Sequence, residues 1–149
     1  MTTLIYRIRP DGSDLTLATP ALKSLSTVSQ PDVSGDGTRL VFRRNDGTVA
    51  LRDLSSGVDT VLDPGDTPAF SPDGRRIAYL RSGNIIMRDG DGTNPRTVPY
   101  FGFVYRRVAW TSDSNFLIIY DGPAVLIDVR TGVAFRTRAL DAFTNLSFR

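Results

Sequence analysis

The stretch Pro68-Ala69-Phe70-Ser71-Pro72-Asp73-Gly74-Arg75-Arg76-Ile77-Ala78-Tyr79 decides the reading of this chain, because it joins a tight turn to a strand-like run and then recurs. In Ser71-Pro72-Asp73-Gly74 the proline presets φ at the second position. Serine and aspartate bond nearby backbone, and glycine accepts the conformation that returns the chain. Laid 37 residues upstream, the same stretch matches Pro31-Asp32-Val33-Ser34-Gly35-Asp36-Gly37-Thr38-Arg39-Leu40-Val41-Phe42 in Pro, Ser, Asp, Gly and the apolar run. A third copy, Val108-Ala109-Trp110-Thr111-Ser112-Asp113-Ser114-Asn115-Phe116-Leu117-Ile118-Ile119, stands 40 residues downstream with Ser114 in the place of Gly74.

Each copy leads into a second half-unit of apolar strand, turn and polar strand: Val49 to Leu62, Ile85 to Val98 and Val125 to Arg138. Each unit therefore holds four strands. Helices have little room, since the 149 residues include no Glu and one Lys, while 13 Gly, 9 Pro and 16 Asp break the chain into short β-branched and aromatic runs. The N-terminal stretch Ile5-Tyr6-Arg7-Ile8-Arg9-Pro10-Asp11-Gly12-Ser13 matches a second hairpin, with Leu15 to Thr19 as its outer strand, and Leu146-Ser147-Phe148 falls where a further inner strand is due.

Four-stranded units of roughly 40 residues are the mark of propeller blades. The units resemble the WD40-like (PD40) repeats of the TolB-type β-propellers, most closely in Phe70-Ser71-Pro72-Asp73-Gly74 with Ile77-Ala78-Tyr79, and in Ile85-Ile86-Met87-Arg88-Asp89 with Asp91-Gly92. The resemblance implies an all-β, single-domain β-propeller: half-blade and connector 1–30, blades 31–67, 68–106 and 107–141, and a closing strand 142–149. It also implies that Val33, Phe70 and Trp110 are equivalent and packed between blades, with Leu40, Ile77 and Leu117 buried behind them. Propellers of this family are usually six-bladed and often close by mixing N- and C-terminal strands. About three blades leave a ring open, so the expectation is self-association, with a homodimer closing the propeller.

Composition narrows the chemistry. With no Cys, His or Glu, the chain lacks the residues of disulfides, thiol nucleophiles, Cys/His zinc sites and Ser-His-Asp triads. The net charge of +2 comes from arginines scattered among aspartates, which is not the footprint of a nucleic-acid partner. No stretch has the length of apolar sequence a membrane helix requires, and Met1-Thr2-Thr3-Leu4 lacks a secretory signal's basic start. The expectation is a chain with neither membrane nor nucleic acid as partner, cytoplasmic by default.

Three local features bear on function. Asp89-Gly90-Asp91-Gly92-Thr93-Asn94 has a calcium loop's oxygen density but not its ligand register, and reads as a turn, so neither metal nor other cofactor is expected. Tyr100-Phe101-Gly102-Phe103-Val104-Tyr105-Arg106-Arg107 either grips a partner or packs between blades. In a propeller, the connections into inner strands and the turns between second and third strands share one face, opposite the Ser71-Pro72-Asp73-Gly74 hairpins. That face is expected to bind a protein or short polar peptide, without catalysis, through Gln30, Asp32, Asp66, Thr67, Tyr105, Arg106 and Arg107 from the connections, and Arg44, Asn45, Arg81, Asn84 and Asp121 from the turns. The rivals are an Asp-dependent glycoside hydrolase or lyase, which needs paired carboxylates, and a purely structural assembly module.

Overall fold

A computed structural model describes residues 6–17, 28–98, 107–120 and 124–136. Within them the chain is all-β: β1 (Tyr6–Arg7) and β2 (Thr16–Leu17) form a hairpin, and three four-stranded antiparallel sheets follow. The first sheet is β3 (Val28–Val33), β4 (Arg39–Arg44), β5 (Thr48–Asp53) and β6 (Asp59–Pro64). The second is β7 (Asp66–Phe70), β8 (Arg76–Arg81), β9 (Asn84–Asp89) and β10 (Arg96–Val98), and the third is β11 (Val108–Trp110), β12 (Phe116–Tyr120), β13 (Ala124–Asp128) and β14 (Ala134–Arg136). Each sheet is a meander whose strands pair in chain order, and β3 packs on β7 as β7 packs on β11. This is the arrangement of successive propeller blades around their inner strands.

The repeated turn carries its chemistry into all three blades. Ser34, Ser71 and Thr111 each donate their hydroxyl to the aspartate two residues on (2.5, 2.6 and 2.5 Å) and accept the N–H that opens the second strand (3.0, 2.9 and 3.1 Å). Ser114 takes φ +60° where Gly37 and Gly74 take +70° and +69°, so the third turn survives the loss of its glycine. Asp89 to Asn94 is a turn as well, with Asp91 accepting the Thr93 N–H and hydroxyl.

These bonds set a pH dependence. The Ser34 hydroxyl, then the Thr38 N–H, hold the Asp36 carboxyl at about 2, from the usual 3.8. The Thr111 hydroxyl and Asn115 N–H do the same for Asp113, and the Ser55 hydroxyl and Ser56 N–H for Asp53, both held at about 2. A carboxyl lowered by folding stabilises the fold above its unfolded pKa, and that contribution is lost as pH falls through the folded value. Thermal midpoints are therefore expected to be flat near neutrality and to fall between about pH 4 and pH 2. The fall should be shallower in the combined Asp36→Asn, Asp113→Asn variant; an identical slope would refute the assignment.

Strand alternation sends successive side chains to opposite faces; the first and second blades bury both, whereas the third buries Leu117, Ile119, Val125 and Ile127 on one face and leaves Ile118 and Leu126 of the other partly exposed. Val41, Val49 and Leu51 meet Phe70, Ile77, Tyr79 and Ile86 across the first seam, whereas Ala78, Ile85, Met87 and Val98 meet Trp110, Leu117, Ile119 and Ile127 across the second. Leu40, Phe42 and Ala50 cluster on the first blade's other face. Leu40, Ile77 and Leu117 are fully buried, as are Phe70 and Trp110 to within a few per cent. Val33 is not: it is 48% exposed, which corrects the expectation that it matches them. Phe70 and Trp110 each pack on the blade before their own, but among the described residues only the two-residue strands β1 and β2 precede β3. Position in the repeat is shared; the surface that would bury Val33 is not.

Candidate functional site

The inner strands bulge. Pairing of β3 with β4 shifts between Ser29 and Asp32, and pairing of β7 with β8 shifts between Asp66 and Ala69. At the centre of each bulge sits a residue in the left-handed region, Gln30 at φ +53° and Thr67 at +51°. For a β-branched threonine that conformation is a true outlier, held here by a hydrogen bond from the Thr67 N–H to Gln30 Oε1 at 2.8 Å. Offsets of 37 and 40 residues make Gln30, Thr67 and Arg107 the same position in three successive blades. Bulges re-aim side chains, and these three line one groove.

The groove has a volume of about 720 Å³ and is built from equivalent segments, 30–32, 67–70 and 107–110, with Pro72 at one side. Its walls are Pro31, Pro68, Ala69, Phe70, Val108, Ala109 and Trp110. The indole of Trp110 donates to the Ala69 carbonyl at 3.2 Å, which satisfies its N–H and fixes the ring across the seam. Asp32 spans the other seam: its two carboxylate oxygens accept from the Phe70 N–H at 2.7 Å and the Val33 N–H at 3.0 Å. Burial pushes the Asp32 carboxyl above the usual value, against the pull of those two N–H groups.

Two polar groups in the groove have no partner among the described residues. The Thr67 hydroxyl is buried and makes no hydrogen bond, and the exposed Arg107 takes part in no ion pair among the described residues. Gln30 and Asp32 are already engaged with the next inner strand.

The other expected binding residues lie apart from the groove lining. Asp66 pairs with Arg43, and the Gly65 N–H bonds the Gly47 carbonyl at 3.0 Å, so the connection into β7 does sit beside the β4–β5 turn. At the opposite ends of those strands the Gly90 N–H bonds the Arg75 carbonyl at 2.7 Å, joining the β9–β10 turn to the β7–β8 hairpin. Arg44 pairs with Asp46 at 3.3 Å and Arg81 with Asp63 at 3.1 Å, while Asn84 donates to the Ser82 carbonyl at 3.4 Å and Asn45 occupies the β4–β5 turn. Tyr105, Arg106 and Asp121, with residues 100–104 of the aromatic stretch, lie outside the described residues. Sequence reasoning assigned Phe70 and Trp110 to the core alone. The repeat offset that aligns Gln30, Thr67 and Arg107 was the available signal that they also wall a groove.

Comparison with solved structures agrees with this architecture. TolB from Acinetobacter baumannii superposes with a TM-score of 0.67 at 19% identity, over 89% of this chain and 37% of that one. The putative TolB from Agrobacterium tumefaciens gives 0.70 at 21% identity, over 91% of this chain and 56% of that one. The β-propeller domain of the trilobed protease from Pyrococcus furiosus, described as having an open velcro topology, gives 0.60 at 20% identity over 73% and 41%. The chain thus spans between about a third and just over half of the length of these structures. No protein-family model and no curated protein sequence matches it. Blades, turns and superpositions together show a TolB-like β-propeller repeat fold, here a partial propeller.

Proposed function

We propose that this propeller scaffold binds a short polar peptide in the groove along its inner strands, and that it does so without catalysis. The observation that carries the reading is the buried, unsatisfied Thr67 hydroxyl, in one groove with the exposed Arg107 guanidinium, which forms no ion pair among the described residues, and with apolar walls that include Phe70 and Trp110. A peptide supplies what each lacks: a backbone carbonyl for the hydroxyl, a side-chain or terminal carboxylate for the guanidinium, and apolar side chains for the rings. The strain at Thr67 supports the same reading, since such outliers concentrate at ligand clamps. The two-carboxylate hydrolase is disfavoured because the groove holds one aspartate, Asp32, whose oxygens are both engaged.

Trp110 is the only tryptophan, so its emission reports the groove directly. Titration with a library of short acidic and mixed-charge peptides should give saturable emission changes. Arg107→Ala should weaken the best binders by about tenfold, the order expected for one charge-assisted hydrogen bond. Peptides that bind equally well to the variant, or no saturable change with any peptide, would overturn the proposal.

A further inference from the structure

We propose that a second cavity, at the seam of the second and third blades, is a binding site for a phosphoryl dianion carried by a small molecule. It encloses about 330 Å³ and shares no lining residue with the groove. Three arginines converge on it: Arg76 from the start of β8, Arg96 from β10, and Arg130 from the turn after β13.

Elsewhere the described arginines are mostly paired, and seven of them, Arg9, Arg39, Arg43, Arg44, Arg52, Arg81 and Arg88, sit within ion-pair distance of an aspartate. Arg76, Arg96 and Arg130 are in none of these pairs. Arg88 also borders the cavity, but its three guanidinium nitrogens are taken by the Tyr79 hydroxyl, the Gly92 carbonyl and Asp63. One carboxylate stands in the lining itself: Asp89, the direct cross-strand neighbour of Arg76, with one oxygen accepting from Asn94 at 2.7 Å; Asp73 and Asp128 lie outside the lining and feel Arg76 and Arg130 electrostatically without forming an ion pair with them. Within the lining, cations therefore outnumber carboxylates.

Two of the arginines are also held in place. Arg76 reaches the Ser114 carbonyl at 3.5 Å, and Arg96 donates to the Val129 carbonyl. Each guanidinium crosses from the second blade to the third, uses one nitrogen as an anchor and keeps other N–H groups free. Met87 and Val129 form an apolar floor beneath them. Unpaired, oriented forks are what a tetrahedral dianion binds, because each guanidinium offers parallel N–H bonds to two of its oxygens. A cavity of this size suits a phosphoryl group with a small organic substituent, and its open polar mouth suits no apolar ligand.

The test is calorimetric titration of the full chain with inorganic phosphate and, separately, glycerol phosphate, at constant ionic strength. Saturable binding is expected, about tenfold weaker in Arg130→Gln, whose exposed side chain makes no hydrogen bond to the rest of the protein among the described residues. Asp89→Asn should bind more tightly than the wild type, an opposite change that mere destabilisation does not produce. Arg75→Gln, exposed and outside the cavity, should match the wild type. Tighter binding of the ester identifies an organic phosphate as the ligand, and equal binding identifies the free ion. No saturable heat up to about 10 mM phosphate, or equal weakening by Arg130→Gln and Arg75→Gln, would overturn the site.

Discussion

Replacing Phe70 by alanine is expected to cost about 3–5 kcal/mol of folding stability, the range for removing a buried phenyl ring that its surroundings cannot refill. The ring is 6% exposed and touches both blades of the first seam, with Val41, Val49 and Leu51 on one side and Ile77, Tyr79 and Ile86 on the other. Arg39 of the first blade stands over its face at 5.7 Å and donates to the Gly74 carbonyl at 3.2 Å. Collapse into the void is opposed by backbone on both sides, since the Phe70 N–H is tied to Asp32 and Ser71 is fully buried in its turn. Urea unfolding followed by Trp110 emission measures the cost. Val33→Ala, at the same repeat position, should stay within about 0.5 kcal/mol because that side chain is half in solvent. Equal costs at the two positions would mean that the first seam is not a packed interface.

The contrast between these two positions marks the limit of what repeat periodicity reveals. The blade count, the register of β4, β8 and β12, and the turn chemistry of Ser34, Ser71 and Thr111 were legible, because each is a local property: strand alternation, turn residues and a fixed offset. Val33 misled because burial depends on what faces a residue, and among the described residues no apolar cluster packs over it as one packs over Phe70. The groove lining was legible in part. Gln30, Asp32, Thr67 and Arg107 share the groove, but that Asp32 and Gln30 spend their acceptors on the next inner strand depends on bulges that no residue type announces. Buried charge was also invisible. Arg52 and Arg88 occupy matching places on β5 and β9, yet Arg52 pairs with Asp59 of its own blade at 2.5 Å and lies by the Phe42 ring, whereas Arg88 crosses to the blade before it.

That crossing carries the second large effect. Asp63, on the outer strand of the first blade, accepts the Tyr79 hydroxyl at 2.5 Å, Arg88 at 2.6 Å and Arg81 at 3.1 Å from the second, so one carboxylate ties β6 to β8 and β9. Burial alone would raise the Asp63 carboxyl, but the Tyr79 hydroxyl and Arg88 outweigh it and hold it below the usual value. Burial first, then the bond to Asp63, pushes the Tyr79 phenol up to about 12. Asp63→Ala leaves Arg88 without its counter-ion and the Tyr79 hydroxyl without its acceptor. Removing one partner of a fully buried pair costs 3–5 kcal/mol, and because Asp63 keeps 20% of its side-chain surface in solvent, about 2–3 kcal/mol is expected here. Arg81→Ala should cost less than about 1 kcal/mol, since that side chain is 47% exposed and its pair is screened. A spectrophotometric titration separates the network from simple packing. Removing the carboxylate withdraws one of the causes that raise the phenol, so the Tyr79 titration should move down from about 12 in Asp63→Asn. The sign for stability follows: a phenol raised by folding contributes fully below its unfolded pKa near 10, and that contribution fades as pH climbs toward 12. An unmoved Tyr79 titration together with a cost below about 1 kcal/mol for Asp63→Ala would show that the seam is held by its apolar cluster alone, with the ion pair incidental to it.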